Sequence, residues 1–268
     1  MKRALEWAFV ALFGVAALLS LLLLLAGVSL RSNRHDTSVP TVVTSRVVMV
    51  RNFLSDVYAA RIGQRVIVFD AGMDADGRAL EVLLEALGSD VSEVSDIFLT
   101  HGHFDHVAAA GRCPSAKIHI GAADAEVLAH RAASHALVPR LFSMLLSVPA
   151  VEATDRLSGS SSIDVGNGDW VIAVPLPGHT PGSYVYLFDG VLFTGDALFV
   201  GDGGITLAAP EDEALARDAC RGVAQINALF REHRVTAICT GHRGCTEARA
   251  SSRSLEALAP GGGPNCPG

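Results

Sequence analysis

"THGHFDH", Thr100 to His106, sets three histidines and an aspartate within the six positions from His101 to His106. It follows directly on "DIFLT", Asp96 to Thr100, a short run rich in β-forming residues, so the cluster begins where a strand ends. In an extended segment alternate side chains project to one side, which gives His101, His103 and Asp105 a shared direction and His106 a different one. Imidazole and carboxylate are the nitrogen and oxygen ligands of zinc and its neighbours, so two directions of projection suit two adjacent ions. Gly102 leaves room for close backbone approach. Alone, the stretch is equally a polar loop; the choice depends on where the rest of the chain places further ligands.

Upstream, Thr41–Val50, the stretch around Val57–Arg61 and Gln64–Asp70 read as successive antiparallel strands, followed by an amphipathic helix in "RALEVLLEALG". Downstream come a strand in "AKIHI", with His119 expected on its polar face, and a helix over Asp124–Arg131. An apolar helical insert follows over Ala136–Val151. The second half has strands at Asp169–Leu176 and Ser183–Asp196, turning at Asp189-Gly190, then a helix over Asp212–Glu232 and a strand at Val235–Thr240. Strands, helix and strand, twice over, predict two sheets packed face to face with helices outside. His179 in "PGHTPGS", Asp196 in "LFTGD" and His242 in "TGH" each follow a hydrophobic run and a glycine. Strand ends sharing one sheet edge are where such folds build sites.

The motifs "FDAG", "HGHFDH", "PGHTPGS", "TGD" and "TGH", in that order over about residues 41–255, make the chain similar to the metallo-β-lactamase superfamily in its hydrolase branch. The phrase "PGHTPGSYVYLFDGVLFTGDALF" resembles glyoxalase II and its relatives, which hydrolyse thioesters. The resemblance implies an α/β fold, a four-layer αββα sandwich. By position it gives a first metal to His101, His103 and His179, a second to Asp105, His106 and His242, and Asp196 as the bridge. It also implies that Asp70 braces the ligand loop from behind and that Thr180, with Pro181 and Gly182, shapes the loop around His179. The metals expected are two divalent ions, zinc first, with iron or manganese as the other choices.

Two such ions about 3.5–4 Å apart lower the pKa of a shared water, and a metal-bridging hydroxide then attacks an ester, thioester, lactone or related bond. Asp105 is the expected catalytic proton acceptor. An iron-dependent sulfur dioxygenase using His101, His179 and Asp196, or a zinc β-lactamase, is the alternative. The insert is expected first as core packing, with an apolar lid or groove for an acyl-bearing substrate as the narrower alternative; for His130 and His135, just before it, a solvent-facing or core position is the first expectation and reaching the site the alternative.

The formal charge of −7, with no basic stripe, excludes nucleic acid as an expected partner and leaves a small-molecule substrate. The five cysteines have no C-x-x-C spacing, so the expectation is buried or idle thiols, with a Cys220–Cys239 bridge as one option. Uncharged residues from Trp7 to Leu30 exceed the roughly twenty needed to cross a bilayer. Residues 1–36 are therefore expected to form a single-pass membrane anchor and linker, holding the catalytic domain outside the cytoplasm. Secretion after signal cleavage is the alternative. The hydrolase domain is expected over 37–259 and a flexible tail over 260–268.

Overall fold

The computed structural model describes residues 37–134, 137–201, 204–207 and 213–248, together with Ser20. The expected membrane segment (residues 1–36, Ser20 apart), the 260–268 tail and His135 lie outside the described residues. Among the described residues no helix is long and apolar enough to cross a membrane.

The first sheet has seven strands in chain order: β1 (Thr41–Val42), β2 (Val47–Asn52), β3 (Ser55–Ile62), β4 (Arg65–Phe69), β5 (Val94–Phe98), β6 (Lys117–Gly121) and β7 (Asp155–Leu157). The pairs from β1 to β4 are antiparallel and those from β4 to β7 parallel. Helix α1 (Arg78–Ala86) makes the first parallel crossover, burying Ala79, Leu80, Leu83 and Leu84 at helical spacing. Three further helices follow it: α2 (Phe104–Val107), α3 (Ala125–Leu128) and α4 (Leu137–Leu146).

The second half adds β8 (Ser161–Gly166), β9 (Asp169–Pro175), β10 (Tyr184–Phe188), β11 (Val191–Gly195), a two-stranded ribbon of β12 (Leu198–Gly201) and β13 (Gly204–Leu207), helix α5 (Glu213–Glu232), β14 (Ala237–Thr240) and β15 (Cys245–Glu247). The second sheet runs β15-β14-β11-β10-β9-β8, with β11 and β14 parallel. The turn at Asp189-Gly190 has φ of 49° and 77°, the pair of positive angles that a tight two-residue hairpin requires.

Alternation along the strands assigns side chains to layers. Ile67 and Phe69 of β4 meet Tyr186, Phe188 and Phe193 between the sheets, while Val66 and Val68 pack outward with α1. On β10, Tyr184, Tyr186 and Phe188 face inward and Val185 and Leu187 outward, where α5 supplies Ile226 and Leu229. Both faces are covered, which is why "YVYLF" is an unbroken apolar run. The Phe69 and Phe193 rings stack with centroids 3.8 Å apart across the midplane. The layer order is αββα, as expected.

Three local expectations change. Thr41–Val50 is not one strand: the Thr44 hydroxyl accepts from the backbone N–H of Arg46 and Val47, turning the chain between β1 and β2. His119 is buried, stacked on Phe98 at 4.6 Å, with its two ring nitrogens 2.9 Å from Asp96 and 3.0 Å from Asp155. It is therefore not on an open polar face. Cys239 is bonded to Cys245, its register partner across β14 and β15, and not to Cys220. Cys113 is a buried free thiol.

Candidate metal centre

The strands whose ends matter all finish at one edge. Asp70 follows β4, His101 and His103 follow β5, Asp196 follows β11 and His242 follows β14, while Asp105 and His106 lie on α2 and His179 lies between β9 and β10. Because β4 and β5 run parallel in one sheet and β11 and β14 in the other, both sheets present carboxyl-terminal ends to the same crevice.

The side chains converge in three overlapping groups: His101, His103 and His179; His101, His106 and Asp196; and Asp105, His106 and His242. Within each group the potential ligand atoms lie within 4.8 Å of one another. Asp196 Oδ2 is 2.9 Å from His242 Nε2 and 3.5 Å from His179 Nε2, so the carboxylate stands between the two outer groups. His179 Nε2 is 2.9 Å from His103 Nδ1. All seven residues expected as ligands therefore meet at one place.

What lies behind them sets which nitrogen faces inward. Asp70 adopts φ of 56°, a left-handed backbone unusual for a residue with a side chain. From there its carboxylate accepts from the Thr100 N–H at 2.8 Å and the Thr100 hydroxyl at 2.9 Å, and lies 2.8 Å from His106 Nδ1. A hydroxyl that donates to Asp70 accepts from His101 Nδ1, 3.1 Å away. His242 Nδ1 donates to the Leu54 carbonyl at 2.6 Å. Each of these histidines is thus held by Nδ1 and turns Nε2 to the centre, an arrangement typical of metal-binding imidazoles.

The centre fits a cation. Nε2 of His101, Nε2 of His106 and Oδ1 of Asp196 are buried without a hydrogen-bond partner, although an unpartnered buried polar atom is costly. A divalent ion satisfies lone pairs of this kind. The charges agree. Burial pushes His101 well below its ordinary pKa, and holds His103 down to about 3 with His179 adding to the effect. Burial also lowers His179, against the pull of Asp196. For His106 burial opposes charging, but Asp196, Asp70 and Asp105 together outweigh it and raise the pKa well above the usual value. For His242 burial is likewise outweighed, by the hydrogen bond to Asp196. Asp196 itself sits well below the ordinary carboxyl range: burial raises it, and the imidazoles of His106 and His242 win.

The glycines before the strand-end ligands have a steric cause. A Cβ on Gly241 would strike Asp196 and His106, and one on Gly195, at φ of 50°, would strike Thr100.

Two bracing carboxylates escape a reading of the sequence. Asp124 is read there as the start of a helix. In the structure its buried carboxylate leaves the helix uncapped and accepts from Gly102 N–H and the Thr180 hydroxyl, both at 2.8 Å, and from Gly182 N–H at 2.9 Å. It straps the His101–His103 loop to the His179 loop; burial raises its pKa, against these three donors. Thr180 is tied in this way, through Asp124, to the Gly102 backbone of the other loop. Asp56, fully buried, accepts from Arg51 at 2.7 and 3.0 Å and from Gly244 N–H at 2.6 Å, steadying the loop that carries His242. Tyr58 donates to the Thr240 carbonyl at 2.6 Å, at the end of β14 where that loop begins. Nothing in the spacing of "GAAD" or "LSD" points to these contacts.

Residues 50–242 match the family model of the metallo-beta-lactamase superfamily. A probable metallo-hydrolase of Mycobacterium tuberculosis is 33% identical over 131 residues, which are 43% of this chain and 41% of that protein. A hydroxyacylglutathione hydrolase of Fuscovulum blasticum is 30% identical over 166 residues, 60% of this chain and 52% of that protein. The matches thus span about two fifths to half the length of these curated relatives. Among solved structures, a metallo-β-lactamase with a HARLDQ motif from Cronobacter sakazakii superposes with a TM-score of 0.63 at 22% identity, covering 80% of this chain and 81% of that one. BJP-1, a subclass B3 metallo-β-lactamase of Bradyrhizobium japonicum, superposes with a TM-score of 0.61 at 18% identity, covering 88% of each chain. At those identities the likeness is one of fold.

Proposed function

The chain belongs to the metallo-β-lactamase superfamily, and on that footing we propose that it is a binuclear metal-dependent hydrolase acting on an ester, thioester, lactone or related acyl bond. One metal would be held by His101, His103 and His179 and the other by Asp105, His106 and His242, with Asp196 shared. Divalent ions held there would supply Lewis-acid activation of water and of a carbonyl at neutral pH. The protein's own part is orientation and proton movement. Asp70 and Thr100 fix His106 and His101 by their Nδ1 atoms, and the Leu54 carbonyl fixes His242. Asp105 Oδ2, 3.6 Å from His242 Nε2 and 3.8 Å from His106 Nε2, takes up the proton released by the attacking water.

The observation that carries this reading is that the buried Nε2 atoms of His101 and His106 and Oδ1 of Asp196, none with a hydrogen-bond partner, belong to residues whose potential ligand atoms lie within 4.8 Å of one another. Elemental analysis of the purified chain, with a panel of thioester, lactone, phosphodiester and β-lactam substrates and an oxygen electrode, tests it. The expected result is two divalent ions per chain and acyl-bond hydrolysis without oxygen uptake. One iron per chain with oxygen consumption would overturn it in favour of a dioxygenase.

We place the catalytic domain outside the cytoplasm, tethered by the apolar run Trp7–Leu30. The Cys239–Cys245 bridge supports this, since disulfides persist in oxidising compartments. Protease digestion of intact cells against lysed ones distinguishes the two sides.

A further inference from the structure

Next to the ligand loops lies a cleft of about 560 Å³, bordered on one side by Gly102 and His103. Its floor is apolar and buried: Phe104 and Val107 from α2, Leu128 from α3 and Val148 just after α4. Its outer wall is α4, which turns Met144, 73% exposed, toward the opening. The volume is within the ordinary range for a small-molecule site.

The charge around this cleft runs against the rest of the molecule. The chain carries a net −7, yet among the described residues no aspartate or glutamate lines the cleft, and Arg131 and Arg140 do. Arg131 is committed elsewhere, to Glu126 at 2.6 Å and to Glu152. Arg140 makes no hydrogen bond or ion pair with any described residue and is exposed at the rim. A cleft with an apolar floor, at its edge a guanidinium that has no partner among the described residues, and the proposed metal ligand His103 on its border has two distinct recognition elements beside the proposed reacting centre.

The geometry points to a substrate whose acyl bond lies at the ligand loops and whose apolar arm fills this cleft and ends in an anionic group, carboxylate or phosphate, held by Arg140. The chemistry at the inner end rests on the hydrolase reading; the binding of the arm does not. Guanidinium is suited to such a group because it forks onto two oxygens and stays charged.

The test measures binding to the metal-loaded full chain by calorimetry, using octanoate, octyl phosphate, octanol and butyrate. Both anions are expected to bind at least tenfold more tightly than octanol, and octanoate more tightly than butyrate by up to about fourfold per added methylene. In R140Q the anion preference collapses; in Met144→Glu, a change at an exposed position, the dependence on chain length flattens. If the preference survives in R140Q, the anions are held by the metals and the inference is wrong. It is equally wrong if chain length has no effect in the unaltered protein. If one anion alone shows the preference lost in R140Q, that one is the end group. A second arm compares KM for the thioesters of octanoic acid and of its terminal dicarboxylic counterpart. Turnover of both without a KM difference overturns this inference and leaves the hydrolase reading standing. No turnover of either, nor of the corresponding esters and lactones, with Arg140-dependent binding intact, does the reverse.

Discussion

Replacing Asp124 by asparagine changes one oxygen to an amide nitrogen at the point where two ligand loops are strapped together. Oδ2 accepts from Gly102 N–H and the Thr180 hydroxyl, and Oδ1 accepts from Gly182 N–H. The amide keeps the first two bonds by placing its oxygen where Oδ2 was, and then points N–H at N–H toward Gly182. One buried donor is orphaned, at a cost of about 1–3 kcal/mol. In D124A both backbone donors are orphaned while Thr180 keeps Ser183 Oγ at 2.8 Å, so the cost rises to roughly 2–6 kcal/mol. Against a domain stability of about 5–15 kcal/mol the asparagine variant stays folded and the alanine variant is marginal. Urea unfolding of the chelated protein reads the stability, and zinc titration reads the looseness passed to His101, His103 and His179. The expected result for D124N is a lower midpoint with an unchanged slope and a first metal bound several-fold more weakly. Since a Cβ on Gly182 would press on the same carboxylate at 2.5 Å, Gly182→Ala should shift both readouts in the same direction. A D124N protein with the unaltered midpoint and full zinc affinity would refute the strap.

Three further outcomes follow from the same geometry. D196N should lower bound metal and abolish hydrolysis while the far-ultraviolet spectrum stays that of the folded domain; full activity would end the bridging assignment. Metal binding should depend on pH differently at the two positions. His106 and His242 have raised pKa values and hold protons that a metal must displace, so affinity there grows as pH rises above the ordinary imidazole value of about 6.5. His101, His103 and His179 are lowered, carry no proton near neutrality, and should give a flat profile in that range; parallel profiles from calorimetry at pH 6.5 and 8 would contradict this. Reduction of Cys239–Cys245, or C245S, opens a ring of sequence separation 6 around His242 and costs about 2 kcal/mol by loop-closure entropy. It should weaken the metal at Asp105, His106 and His242 before the other, and loss of both together would count against the loop's local role.

The proposed ligands were legible in the sequence because they follow glycine or a short polar step at the ends of hydrophobic runs, and each such run is a strand. The layers were legible for a related reason: the unbroken apolar runs "VIVF" and "YVYLF" report strands buried on both faces. The bracing carboxylates were not, because Asp124 and Asp56 act on backbone N–H groups of residues far along the chain, and a backbone donor leaves no mark in residue identity. His119 misled for a similar reason. Its neighbours Ile118 and Ile120 face the other side of the sheet, which says nothing of whether its own side is wet, and the inter-sheet layer covers it. The short strands β7, β8 and β15 escaped because "DRL", "SSIDVG" and "CTE" have too few apolar residues to stand out.

Each outer group of ligands takes two members from the first half of the chain and one from the second: His101 and His103 with His179, and Asp105 and His106 with His242. During synthesis, then, a ribosome-bound chain that has released only its first sheet presents incomplete sets, and neither is finished until the strand before its last ligand has paired. On the proposed assignment metal capture is a late event that reports successful docking of the two sheets. A cell short of metal would accumulate folded but unlatched protein, whose apparent stability rises with the free metal concentration by about 2.7 kcal/mol at one hundred times the dissociation constant.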